Sequence, residues 1–172
     1  MACVISDSSV LIHLSKIGRL HLLKDFFGEV TIPGAVWREV VEEGKDQPGT
    51  IEVERAYREG WIKVLTPANS SLLPLLKLDL DDGEAEVIAL ALELRADLVL
   101  IDESEGRRIA GLYNLPKIGT VGLLIRAKRE GRISSLRVEL DRLRREGGFW
   151  MKEALYLRVL QAVGEEPPFE QG

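Results

Sequence analysis

Asp7 directly follows the apolar run Ala2-Cys3-Val4-Ile5 and its Ser6, and Asp102 directly follows Leu98-Val99-Leu100-Ile101. Both runs are short and apolar, so each reads as a buried strand. An acid just after such a strand lies at its carboxyl end, where open α/β sheets bind ligands if strand order reverses there. Two acids in such places are candidates for one shared site, and carboxylates are the hard oxygen donors that divalent cations prefer. Each also has a plain structural reading. Asp is a favoured helix N-cap, both residues precede helices, and Asp102 has Glu105 three positions on, the capping-box pattern.

A third acid, Glu84, opens the helix predicted over Gly83–Arg95. Val87, Ile88 and Ala91 stand three, four and seven positions further on and form its apolar stripe. Glu84 therefore points toward the packed face, where an ionised carboxylate is costly unless paired or bound to a cation. Its structural reading is a capping box with Asp81 as N-cap. Glu86 aligns instead with Ala89, Leu90 and Glu93 and is expected to be exposed. Glu39 lies late in the helix Pro33–Glu43, beside Val36, Trp37, Val40 and Val41. By spacing alone it does not differ from a solvated Glu next to Glu42 and Glu43.

The elements that must position these acids alternate along the chain. Strands are predicted at Ala2–Ser6, Val30–Ile32, Trp61–Leu65, Leu98–Ile101 and Lys117–Ile118. Helical spacing joins them over 10–17, 20–27, 33–43, 51–59, 83–95, 102–113 and 121–129, and two more helices follow near 135–145 and 151–163. Residues 66–71 read as a Pro/Ser/Asn connection. Short apolar strands alternating with amphipathic helices predict an α/β fold with a parallel sheet covered on both faces. We expect one domain over residues 1–165, with about 132–165 as a C-terminal helical extension and 166–172 as a frayed tail.

Composition narrows the chemistry further. The 172 residues, 45% hydrophobic and 30% charged, suffice for one well-buried domain and contain no run of about 20 apolar residues that a bilayer span needs. The first residues lack the basic region of a signal peptide. Cys3 is the only cysteine and His13 and His21 the only histidines, which excludes an internal disulfide and argues against zinc and for a reducing, cytoplasmic setting. The net charge of −5 is uneven. From Gly106 to Glu146 there are eleven Lys/Arg against four Asp/Glu, a net +7, which leaves −12 for the remainder. An acidic centre beside an anion-attracting segment suits a phosphate-bearing partner, although solvated helices with ordinary ion pairs give the same totals. No phosphate-binding loop, dinucleotide-binding turn or Gly-x-Ser-x-Gly elbow is present. Asp7-Ser8-Ser9 also lacks the second Asp of aspartyl-phosphate hydrolases.

Four segments together resemble the PIN-domain superfamily, which includes VapC-like toxins. They are Val4 to Ile12 with Asp7 and its serines, Val36 to Val41 with Glu39, Asp82 to Ala91 with Gly-Glu-Ala-Glu, and Leu98 to Glu103 with Asp102. The Gly-Glu-Ala-Glu version is similar to a branch of predicted nucleic-acid-binding proteins, formerly a domain of unknown function. Ile118 to Gly122, Ala127-Lys128 and Gly148-Phe149-Trp150 match further segments of that branch, so the likeness covers about residues 2–165.

The resemblance implies a three-layer α/β/α sandwich with a mostly parallel sheet and extra C-terminal helices. It implies catalytic acids Asp7, Glu39, Glu84 and Asp102, with Asp7, Glu84 and Asp102 holding Mg²⁺ or Mn²⁺. Ser8, Ser9, Arg107 and Arg108 are the candidates for substrate binding, although the arginines are also placed to pair with Glu103 or Glu105. Leu100 departs from the pattern, because many PIN nucleases carry Thr or Ser two positions before the last acid. The activity implied is endoribonuclease action on single-stranded RNA, as in the toxin of a type II toxin–antitoxin pair, with a small antitoxin partner and a homodimer. The alternative is a catalytically silent nucleic-acid-binding or protein-interaction module.

Overall fold

A computed structural model of the chain describes residues 2–68 and 71–166. The described residues fall into two compact units that divide after Thr120. The first unit holds a five-stranded, all-parallel sheet in the order β3-β2-β1-β4-β5, with helices on both sides. Its strands are β1 (Val4–Ser6), β2 (Val30–Pro33), β3 (Ile62–Leu65), β4 (Leu98–Leu100) and β5 (Lys117–Ile118). Strand β1 is central, paired with β2 on one edge and β4 on the other, and with helices on both sides of the sheet Val4, Ile5 and Ser6 are all buried. That double burial is why the segment reads as a continuous apolar run.

The chain leaves β1 toward β2 and β3, then crosses back to place β4 and β5 on the other flank. Strand order therefore reverses between β1 and β4, and the loops after these two strands diverge to leave a crevice. In register, Ser6 faces Leu100 across the two strands, and the Asp7 N–H continues the ladder by donating to the Leu100 carbonyl at 2.9 Å. Asp7 and the residues after Leu100 thus leave the sheet side by side.

The helices of this unit are α1 (Ser8–Lys16), α2 (His21–Phe27), α3 (Gly34–Trp37), α4 (Thr50–Glu59), α5 (Leu73–Leu76), α6 (Asp82–Leu94) and α7 (Ser104–Leu112). Helix α5 lies outside the sequence expectation; its Leu-Pro-Leu-Leu is too short to show a helical period. The helix expected over Pro33–Glu43 is α3 followed by a π-helical turn, Arg38–Glu42. The core is formed by Ile5, Leu11, Leu14, Ile32, Ile88, Leu90 and Leu100, all essentially inaccessible.

Glu86 corrects one reading of the sequence: it is buried, not exposed. Helix α6 packs against α3, α5, α7, β1 and β2, and every residue from Ala85 to Ala91 is buried, so no mixed face reaches solvent there. The Glu86 carboxylate accepts from Ala35 N–H at 3.3 Å and lies 3.7 Å from Arg38 Nη2.

Thr120, the last residue of the first unit, opens α8 (Thr120–Arg129); the rest of α8 lies in the second unit with α9 (Leu136–Gly147) and α10 (Glu153–Ala162). Glu165 closes the start of α9, accepting from Leu136 N–H at 2.6 Å, Arg137 N–H at 3.2 Å and Ser135 Oγ at 2.9 Å. Those bonds hold its carboxyl below the usual range despite burial, which opposes them. Of the expected tail, residues 167–172 lie outside the described residues, as do Asn69 and Ser70 of the connection before α5.

Candidate functional site

The crevice between β1 and β4 is lined by acids from four parts of the chain. Asp7 is the N-cap of α1, and its Oδ1 accepts from Val10 N–H at 2.9 Å. Its Oδ2 accepts from Asp102 N–H at 3.2 Å. The capping reading of Asp7 and its place at the sheet's carboxyl edge are therefore both realised. Asp7 is 2% exposed. Burial pushes its carboxyl up to about 8, the charges of Asp102 and Glu84 add to the rise, and the two N–H donors offset part of it.

Glu84 lies in the first turn of α6, whose N-cap Asp81 accepts from Glu84 N–H at 2.8 Å. Its carboxyl is also raised, to about 7, first by burial and then by Asp81, Glu103, Glu39 and Glu105 around it. Glu39 arrives on the π-helical turn and accepts from Ser8 Oγ at 2.7 Å. A π-turn shifts the register of a helix face, a device frequent at functional sites. Gly83 makes room for this approach, since a Cβ there would sit 3.3 Å from Glu39 Oε2.

Asp7, Ser8, Ser9, Glu39, Asp81 and Glu84 line one cavity of about 20 Å³, the room of a single water or small cation. A polar groove of about 300 Å³ opens beside it and shares Glu39 and Asp81. A larger hollow of about 350 Å³, lined by Ser15, His21, Arg55 and Trp61 among others, contains none of these acids.

Asp102 does not line the cavity, and it is not the cap of the following helix, which starts after Glu103. Its Oδ1 accepts from Thr120 N–H at 2.7 Å, and its Oδ2 meets Thr120 Oγ1 at 2.6 Å and His13 Nδ1 at 2.8 Å. Burial alone would raise this carboxyl, but the bonds from His13 and Thr120 hold it below the usual aspartate value. An ionised carboxylate has about four acceptor positions, so one on Oδ1 remains. Gly119 permits this arrangement, because a Cβ there would stand 2.7 Å from Asp102 Oδ1.

His13 and Thr120 carry no role in the sequence reading, where Asp81 enters only as an N-cap and Glu103 only as a partner for the arginines. Ser9 Oγ donates to Glu103 Oε1 at 3.3 Å. Thr120 falls within the segment Ile118 to Gly122, which the resemblance marked without assigning it a task. Of the two candidate cations, Arg107 is half-buried and donates through Nη1 to the Ile101 carbonyl at 3.0 Å. Arg108 is exposed and pairs with Glu105 at 3.0 Å.

The donor set has the chemistry of a hard-cation site: carboxylates and hydroxyls around an ion-sized space, two of the acids destabilised as anions until a positive charge joins them. Among the described residues, however, no three His, Cys, Asp or Glu side chains are drawn together closely enough to hold a metal ion outright.

An open parallel sheet with acids converging at its switch point defines a class of α/β protein built around an anionic crevice. The family model DUF3368, a PIN domain, matches residues 3–165, and the chain belongs to that PIN-domain family. No curated protein matches it. PIN domains are generally nucleases and usually use divalent metals. Among the described residues no helix is long and apolar enough to cross a membrane.

Proposed function

We propose that this protein is a metal-dependent endoribonuclease acting on single-stranded RNA. The observation that carries this reading is the convergence of Asp7, Glu39 and Glu84 on one ion-sized cavity at the β1/β4 switch point. Asp7, Glu39 and Glu84 would hold Mg²⁺ or Mn²⁺ in that cavity, and Asp102, which does not line it, would add a further ligand through the acceptor position left on Oδ1. A cation there supplies Lewis acidity toward a phosphodiester and a water of lowered pKa.

The chain's own groups set up that site. Val10 N–H and Asp102 N–H fix both oxygens of Asp7, Ser8 orients Glu39, and Ser9 orients Glu103. Arg107, anchored on the Ile101 carbonyl, is the cation we assign to the RNA backbone near the site; the charge of Arg108 is partly offset by its pairing with Glu105 through Nε and Nη2. Single-stranded RNA fits because sequence-selective RNA reading mostly targets unpaired segments. A cytoplasmic toxin with a small antitoxin partner, acting as a homodimer, is the biological setting we propose on family grounds.

A second reading, an RNA-binding module without catalysis, is favoured by one observation: the acids are not drawn into a ready three-ligand set. Incubation of a single-stranded RNA with the protein, in Mg²⁺ or Mn²⁺ and in EDTA, separates the two. Metal-dependent cleavage that falls at least about a hundredfold in D7N and E84Q supports the nuclease. Equal cleavage by the variants rejects this site, and RNA binding without cleavage in either metal favours the binding module.

A further inference from the structure

We propose that His13 is a positioning residue of the acidic site, holding Asp102 through its Nδ1–H so that Asp102 in turn fixes Asp7. The inference rests on the nuclease reading for its purpose, but its geometry stands independently. Helix α1 touches three acids of the crevice from one short stretch. Ser8 bonds Glu39, while Ser9 and His13, four residues apart and so on one helical face, bond the consecutive acids Glu103 and Asp102. The contact between His13 and Asp102 is 2.8 Å, and both side chains are largely shielded, 19% and 9% exposed.

Which nitrogen carries the proton follows from the partner. At 2.8 Å from Asp102 Oδ2, a carboxylate oxygen that accepts, Nδ1 is assigned as the donor. With Thr120 supplying both its N–H and its hydroxyl, the Asp102 carboxylate is clamped by three donors from two elements. Its own backbone N–H is then aimed at Asp7 Oδ2. Partners of this kind, one shell out from a metal ligand, typically change metal affinity about ten- to a hundredfold when removed.

The tautomer requirement provides a test that generic destabilisation does not mimic. The Asn side-chain NH₂ reproduces the position of Nδ1–H, whereas Gln reproduces that of Nε2. H13N, H13Q and H13A are compared in the full chain by Mn²⁺ binding calorimetry and by hydrogen exchange of the Asp102 amide without metal. We expect about ten- to a hundredfold weaker Mn²⁺ binding in H13A and H13Q, with loss of Asp102 amide protection, and both properties restored in H13N. Equal behaviour of H13N and H13Q, or an Asp102 amide indifferent to all three, overturns the proposal. If the wild type takes up no Mn²⁺, the metal reading fails by itself, and amide exchange still decides the role of His13.

Discussion

Replacing Asp7 by Asn should make the metal-free protein more stable near neutral pH while abolishing the proposed RNA cleavage. Asp7 is 2% exposed, so its raised carboxyl, at about 8 against a usual 3.8, bears directly on folding. Its folded-state pKa lies above the unfolded one. Between about pH 4 and about pH 8 the unfolded chain has therefore released a proton that folded Asp7 retains, and stability falls as pH rises through that window. At about 1.4 kcal/mol per pH unit, the loss reaches about 4 kcal/mol by pH 7, an upper figure. D7N removes that cost and keeps the acceptor for Val10 N–H. Its NH₂ group, however, meets the Asp102 N–H that now donates to Oδ2, a clash of donors costing about 1–3 kcal/mol. The net expectation is a gain of about 1–3 kcal/mol at pH 7, which for a chain of this size raises Tm by roughly 2–12 °C. Near pH 4 only the clash remains, and D7N should be the less stable protein by about the same amount. Urea unfolding in EDTA across this range measures both ends. Stability curves for the two proteins that run parallel from about pH 4 to about pH 8 would refute the buried, uncompensated carboxyl as their cause.

Other perturbations reach the same network. T120V keeps the N–H bond to Asp102 but deletes the 2.6 Å hydroxyl bond, and should cost about 1.5–3 kcal/mol in thermal unfolding, with T120S restoring the wild-type value. Gly119→Ala forces a methyl against Asp102 Oδ1 and should cost about 1–3 kcal/mol while weakening Mn²⁺ binding; wild-type stability would show that the loop yields freely. E84Q should flatten the fall in stability between about pH 4.5 and about 7, by less than D7N does because Glu84 is only half-buried and solvent screens it.

The layered fold was legible because strands buried on both faces must be short and apolar, and because Asp7 and Asp102 follow two of them. Local spacing also located Asp81 as a cap and Glu84 at the start of α6. It misjudged Glu86, since helical periodicity describes one helix's own stripe and not how many neighbours surround it. The capping box expected at Asp102 did not form because its carboxylate found stronger donors elsewhere. Those donors, His13 and Thr120, lie 89 and 18 residues away along the chain, and no pattern within α1 or near β5 announces such a pairing. Glu39 was unreadable from spacing for a related reason: the π-turn that presents it departs from the 3.6-residue period on which the reading relied.

One titration bears most directly on whether the crevice acids act together: Mn²⁺ added to the full chain near neutral pH and followed by thermal unfolding, beside D7N. Binding to the folded state alone adds about 2.7 kcal/mol when the free ion exceeds its dissociation constant a hundredfold. That corresponds to a rise in Tm of roughly 5–11 °C, which D7N should lack. A wild-type Tm indifferent to millimolar Mn²⁺, or an equal rise in D7N, would contradict a shared cation at Asp7, Glu39 and Glu84.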